Sequence, residues 1–514
     1  MRSDVAVTTS GSVRGVVEDH SVVFRGIPYA SPPFGERLWR LPEPPASWDG
    51  VRDCIEFGPV CPQPSTRVGM LGMEAEPQGE DCLRLNVWTP TDDSHDRLPV
   101  MVWIHGGAYL FGSGSAPGNQ GHTFSRDGVV FVSMNYRLGA LGFLHAGTLR
   151  PECEPGSGNY GIADQVAALR WVRENIAAFG GDPDNVTIFG VSAGGNYVQS
   201  LTACPQAEGL FRRGISESAG GTTLWGVPPH VASAVAEVYF ELLGMGPAPL
   251  VDLASLTPDD LLATQATLLD GIHAGMYDDR FGDLTIPFYP VSGTDHQPLS
   301  VNDAHDAGAT SHVDLIVGTN RHEMTLFKVL EEMGGPSEAS PRTFADRAWE
   351  DPIRAVYRET EPAASDERIS WTVDGDRGFR IPNLRAAEGR VRSGARTWLY
   401  EFAWESSAFD GRLGAAHGLE VSFVFDDTAT VIAQFLTGGA APQSLATTMH
   451  DCWLAFAKTG VPTSDGLPEW PEFDLERRPI AVFDEQSRIE YDRDRERRLA
   501  WEATNIGHRF PTPA

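Results

Sequence analysis

The chain has few cysteines, no long apolar run and a shortage of positive charge, and each shortage excludes a class of protein. Only six cysteines occur in 514 residues, at positions 54, 61, 82, 153, 204 and 452. None forms a CxxC pair, so neither a disulfide-built scaffold nor a cysteine zinc site is expected. No stretch of about 18 apolar residues is present, which argues against a membrane-spanning helix. The first residues, Met1-Arg-Ser-Asp-Val-Ala-Val7, lack the apolar centre of a signal peptide, and Phe510 to Ala514 fits no prenylation or retention motif. A cytoplasmic protein is expected. Forty Lys+Arg face 70 Asp+Glu, a formal charge of −30. Nucleic acid, anionic membranes and polyanionic substrates are poor partners for such a surface. Repeats and low-complexity segments are absent.

What is present reads as a globular enzyme. Hydrophobic residues make up 41% and charged residues 21%, enough to bury a large core with a deep pocket in it. One α/β domain over 1–514 is expected. Short strand-like runs open the chain at Val5 to Val7, Ser12 to Val17 and Ser21 to Phe24. Prolines crowd Ile27 to Pro45, which marks a loop lying along the surface. Near-continuous apolar runs follow at Leu83 to Trp88, Pro99 to Ile104 and Val129 to Met134, the pattern of strands covered on both faces. Ile162, Val166, Leu169, Val172, Ile176 and Phe179 keep helical spacing, and Gly180-Gly181 ends that helix. Asn185 to Phe189 is a β-branched strand. Strand, Gly-rich turn and helix in this order predict a large, mostly parallel central sheet flanked by helices. Residues 225–310 and 325–390 mix helical stretches, Ser233 to Leu243 and Pro258 to Leu269 among them, with loops, and are expected to form cap insertions. Asp492 to Arg498 reads as a solvated helix face.

Two motifs carry chemistry. Gly190-Val-Ser-Ala-Gly194 is a G-x-S-x-G set between a predicted strand and a predicted helix. Flanking glycines there permit a strained turn that presents the Ser192 hydroxyl at the carboxyl edge of the sheet. A serine hydroxyl is a poor nucleophile without a base. Trp103-Ile-His-Gly-Gly-Ala108 is a strand ending in a Gly-rich turn. Its small residues allow backbone N–H groups to approach a reacting carbonyl, together with the N–H of Ala193. Metal readings fail. His322-Glu323 begins an HExxH, but Leu326 stands where the second His is needed. Asp278, Asp279 and Asp283 do not have calcium-loop spacing. No metal or cofactor is implied.

These segments, with Phe24-Arg-Gly-Ile-Pro-Tyr-Ala30, Glu80-Asp-Cys-Leu-Arg-Leu-Asn-Val87, Asn135-Tyr-Arg-Leu-Gly139, Phe179-Gly-Gly-Asp-Pro183 and Trp470-Pro471, resemble the type-B carboxylesterases. Those belong to the cholinesterase-like branch of the α/β-hydrolases, and the likeness is strongest to bacterial para-nitrobenzyl esterases. It runs from about residue 10 to residue 485. The resemblance implies an α/β-hydrolase fold and a triad of Ser192, Glu323 in Gly318-Thr-Asn-Arg-His-Glu323, and His417 in Gly414-Ala-Ala-His-Gly418. On sequence alone Glu323 competes with Asp283, Asp295 and Asp314, and His417 with thirteen other histidines (14 in all). The resemblance also implies oxyanion donors at Gly107, Ala108 and Ala193, and a structural ion pair between Arg137 and Asp164. Ser218 matches a serine near the triad, and Cys61 with Cys82 matches the first disulfide of secreted relatives. One departure stands out. The family carries Glu immediately before the nucleophile, and here the residue is Val191; Glu217 is the candidate to replace that charge in part.

Aromatic candidates for the pocket are Tyr109, Phe111, Trp225, Phe288, Phe423 and Phe425, each equally able to be core. The implied function is hydrolysis of neutral carboxylic esters, with short-to-medium acyl or aryl and benzyl groups, through an acyl-enzyme. Amide or carbamate hydrolysis would use the same machinery. A catalytically inactive cholinesterase-like binding module is the alternative from another class, although such relatives typically lose the serine or histidine. The expected partner is a small-molecule ester, with no nucleic acid or membrane, and the chain is expected to be a monomer or weak homo-oligomer.

Overall fold

A computed structural model describes residues 3–64, 76–92, 97–150, 153, 158–245, 253–282, 284–333 and 350–504. Asp283 and both chain ends therefore lie outside the described residues. Among the described residues fourteen strands form two sheets. The smaller is β1 (Val5–Thr8), β2 (Gly11–Arg14) and β5 (Val51–Asp53), in the order β1-β2-β5. The larger has 11 strands: β3 (Val16–Glu18), β4 (Ser21–Pro28), β6 (Arg84–Pro90), β7 (Leu98–Ile104), β8 (Val130–Met134), β9 (Gly181–Val191), β10 (Arg213–Glu217), β11 (Asp314–Asn320), β12 (Thr397–Phe402), β13 (Pro479–Phe483) and β14 (Arg488–Tyr491). Its order is β14-β13-β12-β11-β10-β9-β7-β8-β6-β4-β3. From β8 through β13 every neighbour pair is parallel, and the pairs at both ends are antiparallel.

Alternation along the strands builds a core on each face. Val100, Val102 and Ile104 pack with Val186, Ile188, Leu315 and Val317 against the helix Tyr160–Asn175. Met101 and Trp103 face the other way, with Phe189, Ile215, Ile316 and Tyr400, against Trp453 and Phe456 of the helix Gln443–Thr459. A third apolar cluster joins the helices Glu350–Thr360, Asp366–Gly375 and Arg495–Glu502 through Ile353, Tyr357, Ile369, Val373 and Trp501.

Three local expectations change. Ser12 to Val17 is two strands in different sheets, because a Cβ on Gly15 between them would collide with the Val23 carbonyl. The proline-rich loop contains one 3₁₀ turn, Gly35–Arg37. Asp492 to Arg498 is solvated only in part, with Arg495 and Glu496 exposed. Arg497 and Arg498 are buried and paired with Glu361 (2.7 Å) and Asp492 (2.8 Å), since a guanidinium enters an interior only with carboxylate partners.

Candidate active site

β9 ends in a strained turn. Ser192 takes φ 60° and ψ −123°, a conformation that costs a non-glycine residue about 1–3 kcal/mol. It then caps the helix Ala193–Thr202. The turn is held from below: the Ser192 N–H donates to the Glu217 carbonyl (2.8 Å), and the Asn196 N–H donates to the Ser192 carbonyl (2.9 Å). Gly194 is required because any Cβ would run into the Ile104 carbonyl at the end of β7. Every residue of the helix is buried, yet Ser192 stays partly exposed.

β7 delivers the second loop to the same edge. The His105 ring stacks on Tyr136 (4.3 Å, 12°), and its Nδ1–H donates to the Gly106 carbonyl (2.7 Å). The Tyr136 hydroxyl donates to the His105 carbonyl (2.6 Å). Burial pushes the His105 imidazole down to about 4, so it is neutral and anchors the loop. Gly107, Ala108 and Tyr109 then have φ of 116°, 52° and 65° in succession. A Cβ on Gly106 would sit 3.1 Å from Ser192 Cβ, so this loop lies directly on the Ser192 turn. Among the described residues the N–H groups of Gly107, Ala108 and Ala193 donate to no protein acceptor.

Loops after β11 and β12 supply a carboxylate and an imidazole. They are tied by a bridge between His322 and Ala416, in which the His322 N–H donates to the Ala415 carbonyl (2.9 Å). The His417 Nδ1–H donates to Glu323 Oε2 (2.6 Å). Glu323 Oε1 accepts from the Ser218 hydroxyl (2.7 Å) and the Asn320 N–H (2.8 Å). Both side chains are almost completely buried. Burial works to lower the His417 imidazole, but the Glu323 charge and hydrogen bond, helped by Glu420, hold it above its usual value. His417 Nε2 is buried and has no hydrogen-bond partner among the described residues.

From residue 2 to residue 501 the sequence matches the model of the carboxylesterase family. The chain belongs to that family. It is 35% identical over 506 residues to the para-nitrobenzyl esterase of Bacillus subtilis, covering 97% of this chain and 98% of that protein. It is also 35% identical to the phenmedipham hydrolase of Pseudarthrobacter oxydans, covering 94% of this chain and 95% of that one. A solved carboxylesterase of Geobacillus stearothermophilus superposes with a TM-score of 0.83 at 36% identity, covering 97% of this chain and all of the other. This carboxylesterase has the α/β-hydrolase fold and is a serine hydrolase of carboxylic esters. No helix among the described residues is long and apolar enough to cross a membrane.

The remaining anticipated residues of the carboxylesterase sort by burial. Tyr109 is buried among Phe143, Tyr197 and Tyr289, with ring centroids 5.1–5.6 Å away; it anchors the loop that carries Gly107 and Ala108. Phe288, Phe423 and Phe425 lie fully within the two cores. Phe111 is half-buried, and the side chain of Trp225 lies outside the described residues. All six cysteines are free, so no bond joins Cys61 to Cys82. Arg137 and Asp164 form a fully buried ion pair (2.7 Å). Two aromatics were not anticipated: Phe327 and Phe379 flank the His417 ring at 5.1 and 4.9 Å. Phe379 comes from a π-helical turn, Asp376–Arg380, a form that often marks functional positions. Nothing in the apolar spacing of 325–390 signals that turn.

Proposed function

We propose that this carboxylesterase hydrolyses neutral carboxylic esters, with short-to-medium acyl or aryl and benzyl groups, through an acyl-enzyme on Ser192. The observation that supports this most is the His417–Glu323 hydrogen bond beside an unpartnered Nε2. In this reading His417 Nε2 takes the Ser192 proton as the hydroxyl attacks the ester carbonyl. Glu323 holds the ring with Nδ1 protonated and stabilises the imidazolium that forms. The N–H groups of Gly107, Ala108 and Ala193 bind the oxyanion, and they need no reorganisation because no acceptor among the described residues engages them. His417 then protonates the leaving alcohol, and water repeats the cycle on the acyl-enzyme.

Neutral substrates suit the fields at hand: the chain carries −30, which repels anionic esters. Residues 225–310 and 325–390 act as cap segments of one catalytic domain. The enzyme works in the cytoplasm on small-molecule esters, as one chain or a weak homo-oligomer. Turnover of p-nitrophenyl acetate and butyrate by the wild type and S192A tests the reading. Loss of turnover in S192A is expected, and equal rates discard it. A panel of acyl lengths, with carbamate and amide analogues, then defines the substrate class.

A further inference from the structure

Behind the π-helical turn Asp376–Arg380 runs a chain of buried amides and hydroxyls that the reaction above does not use. Its centre is Asn383, on the helix Ile381–Arg392 one turn past Phe379, with its side chain almost completely buried. The Asn383 Nδ2 group donates twice, to the Ala219 carbonyl (2.6 Å) and to the Phe379 carbonyl (2.8 Å). Asn383 Oδ1 accepts from Gln199 Nε2 (3.0 Å), which belongs to the helix Ala193–Thr202. Gln199 Nε2 also donates to the Ser216 hydroxyl (2.9 Å), and that hydroxyl donates to the Gly195 carbonyl (2.9 Å). At the far end His305 Nε2–H donates to Gln199 Oε1 (3.2 Å), and the Thr310 hydroxyl donates to His305 Nδ1 (2.8 Å). Arg390 Nη1–H donates in turn to the Thr310 hydroxyl oxygen (3.0 Å). Burial, helped by the Arg390 charge, holds the His305 imidazole well below its usual value, so it is neutral, as these roles require.

The donors and acceptors leave one orientation for each amide. A carbonyl only accepts, so the Asn383 nitrogen must face Ala219 and Phe379, and its oxygen is left for Gln199. A buried chain with every member satisfied is rigid, and removal of one member leaves the others unpaired in a dry interior. The three segments that Asn383 joins all lie at the site. Ala219 follows Ser218, whose hydroxyl donates to Glu323 (2.7 Å). Gln199 lies on the helix that follows Ser192. The Phe379 ring is 4.9 Å from the His417 ring, and a Cβ on Gly220 would lie 3.9 Å from its edge. That ring is only partly buried, so it presents apolar surface beside the imidazole.

We propose that Asn383 is a positioning residue that sets substrate selectivity. It ties the Phe379 carbonyl to Ala219 and, through Gln199, to the helix behind Ser192, and so fixes the Phe379 ring as the wall beside His417. A small displacement of that turn changes the room next to the imidazole, which matters to a long acyl chain and little to an acetyl group.

The inference rests on the reading of His417 as the base, and the experiment separates the two. Values of kcat and KM are measured on p-nitrophenyl acetate, butyrate and octanoate for the wild type, S192A, N383A, F379A and the N383A/F379A double variant. The readout is the octanoate-to-acetate ratio of kcat/KM. N383A should shift that ratio about threefold or more, in the same direction as F379A and mainly through KM, with kcat on acetate kept within about threefold. A merely structural loss would lower all three esters alike and leave the ratio where it was. The double variant should match F379A, since a tie that acts through the ring then has nothing left to position. An unchanged ratio in N383A or in F379A, or a double variant whose shift is the product of the two single shifts, overturns the proposal. Should N383A fail to fold, N383S decides by the same comparisons: its hydroxyl can bond the carbonyl four residues back but is too short to span Ala219 and Gln199 as well. Undiminished turnover in S192A would instead sink the triad reading, and the ratios would still judge Asn383.

Discussion

The edge that carries Ser192 and the helical segment from Glu350 to Arg392 are held by opposite means. At the edge, position is fixed by backbone. Ser192, Ala108 and Tyr109 all carry positive φ, Gly194 abuts the Ile104 carbonyl, and main-chain hydrogen bonds lock Ser192 to Glu217 and Asn196. In the helical segment, position is fixed by long side chains. Tyr357 donates to Asp376, Asp376 pairs with Arg380 (3.1 Å), and the Trp501 Nε1–H donates to the Tyr357 hydroxyl (2.8 Å). That network carries the turn from which Phe379 meets the His417 ring. Rigid backbone suits a geometry that must be right within fractions of an ångström, and replaceable side chains suit a wall that selects substrates.

The comparison predicts a graded series of effects on rate. At the edge, H417A should cost about 10⁴-fold or more in kcat, because the serine loses its base. Steady-state kinetics on p-nitrophenyl acetate reads this directly, and a loss under tenfold would break the account. E323Q should cost about 10³- to 10⁴-fold, since an amide neither fixes the productive tautomer nor stabilises the imidazolium. In the wild type, kcat/KM should fall as pH drops through a value above the ordinary imidazole range. His417 is raised in the folded protein and must be neutral to act as base. An acidic limb below that range would contradict the His417–Glu323 pairing.

On the helical side the effects should be smaller and of another kind. F379A should change KM by about 3- to 10-fold, unequally across acyl lengths, with kcat for the smallest ester nearly kept. D376A should destabilise the fold by about 2–3 kcal/mol, because the buried Tyr357 hydroxyl would lose its acceptor and Arg380 its nearer carboxylate, keeping only Asp494 at 3.6 Å. Its rate on p-nitrophenyl acetate should stay within about threefold of the wild type. Thermal denaturation alongside kinetics checks both, and a D376A enzyme that is stable but inactive would erase the distinction between the two regions.

The same contrast explains what could be read from the sequence. Gly190 to Gly194 and His105 to Ala108 are legible because close backbone approach admits few residue types, so geometry leaves a mark on composition. The run from Pro99 to Ile104 and the helix after Tyr160 are legible through burial on both faces or one. Phe327 and Phe379 left no mark, since an aromatic near a helix end has no periodic signature and a π turn is set by tertiary packing. The cross-strand pairing of Glu217 with Val191 was not legible, because it depends on strand register. The aromatics near the motifs misled for a simple reason. Tyr109 follows β7, Phe288 lies in a loop, and Phe423 and Phe425 lie in and just after the helical turn Val421–Val424, all with their rings buried in the cores; proximity in sequence says nothing about which side of a segment faces the cleft.

The central claim is that the hydroxyl at position 192 becomes acylated. Mass spectrometry after inactivation with an organophosphate ester tests it most directly. The account predicts one adduct per chain on the peptide containing Ser192, appearing in step with loss of activity and absent from S192A. Inactivation with the Ser192 peptide unmodified, or an equal adduct formed in S192A, would contradict it.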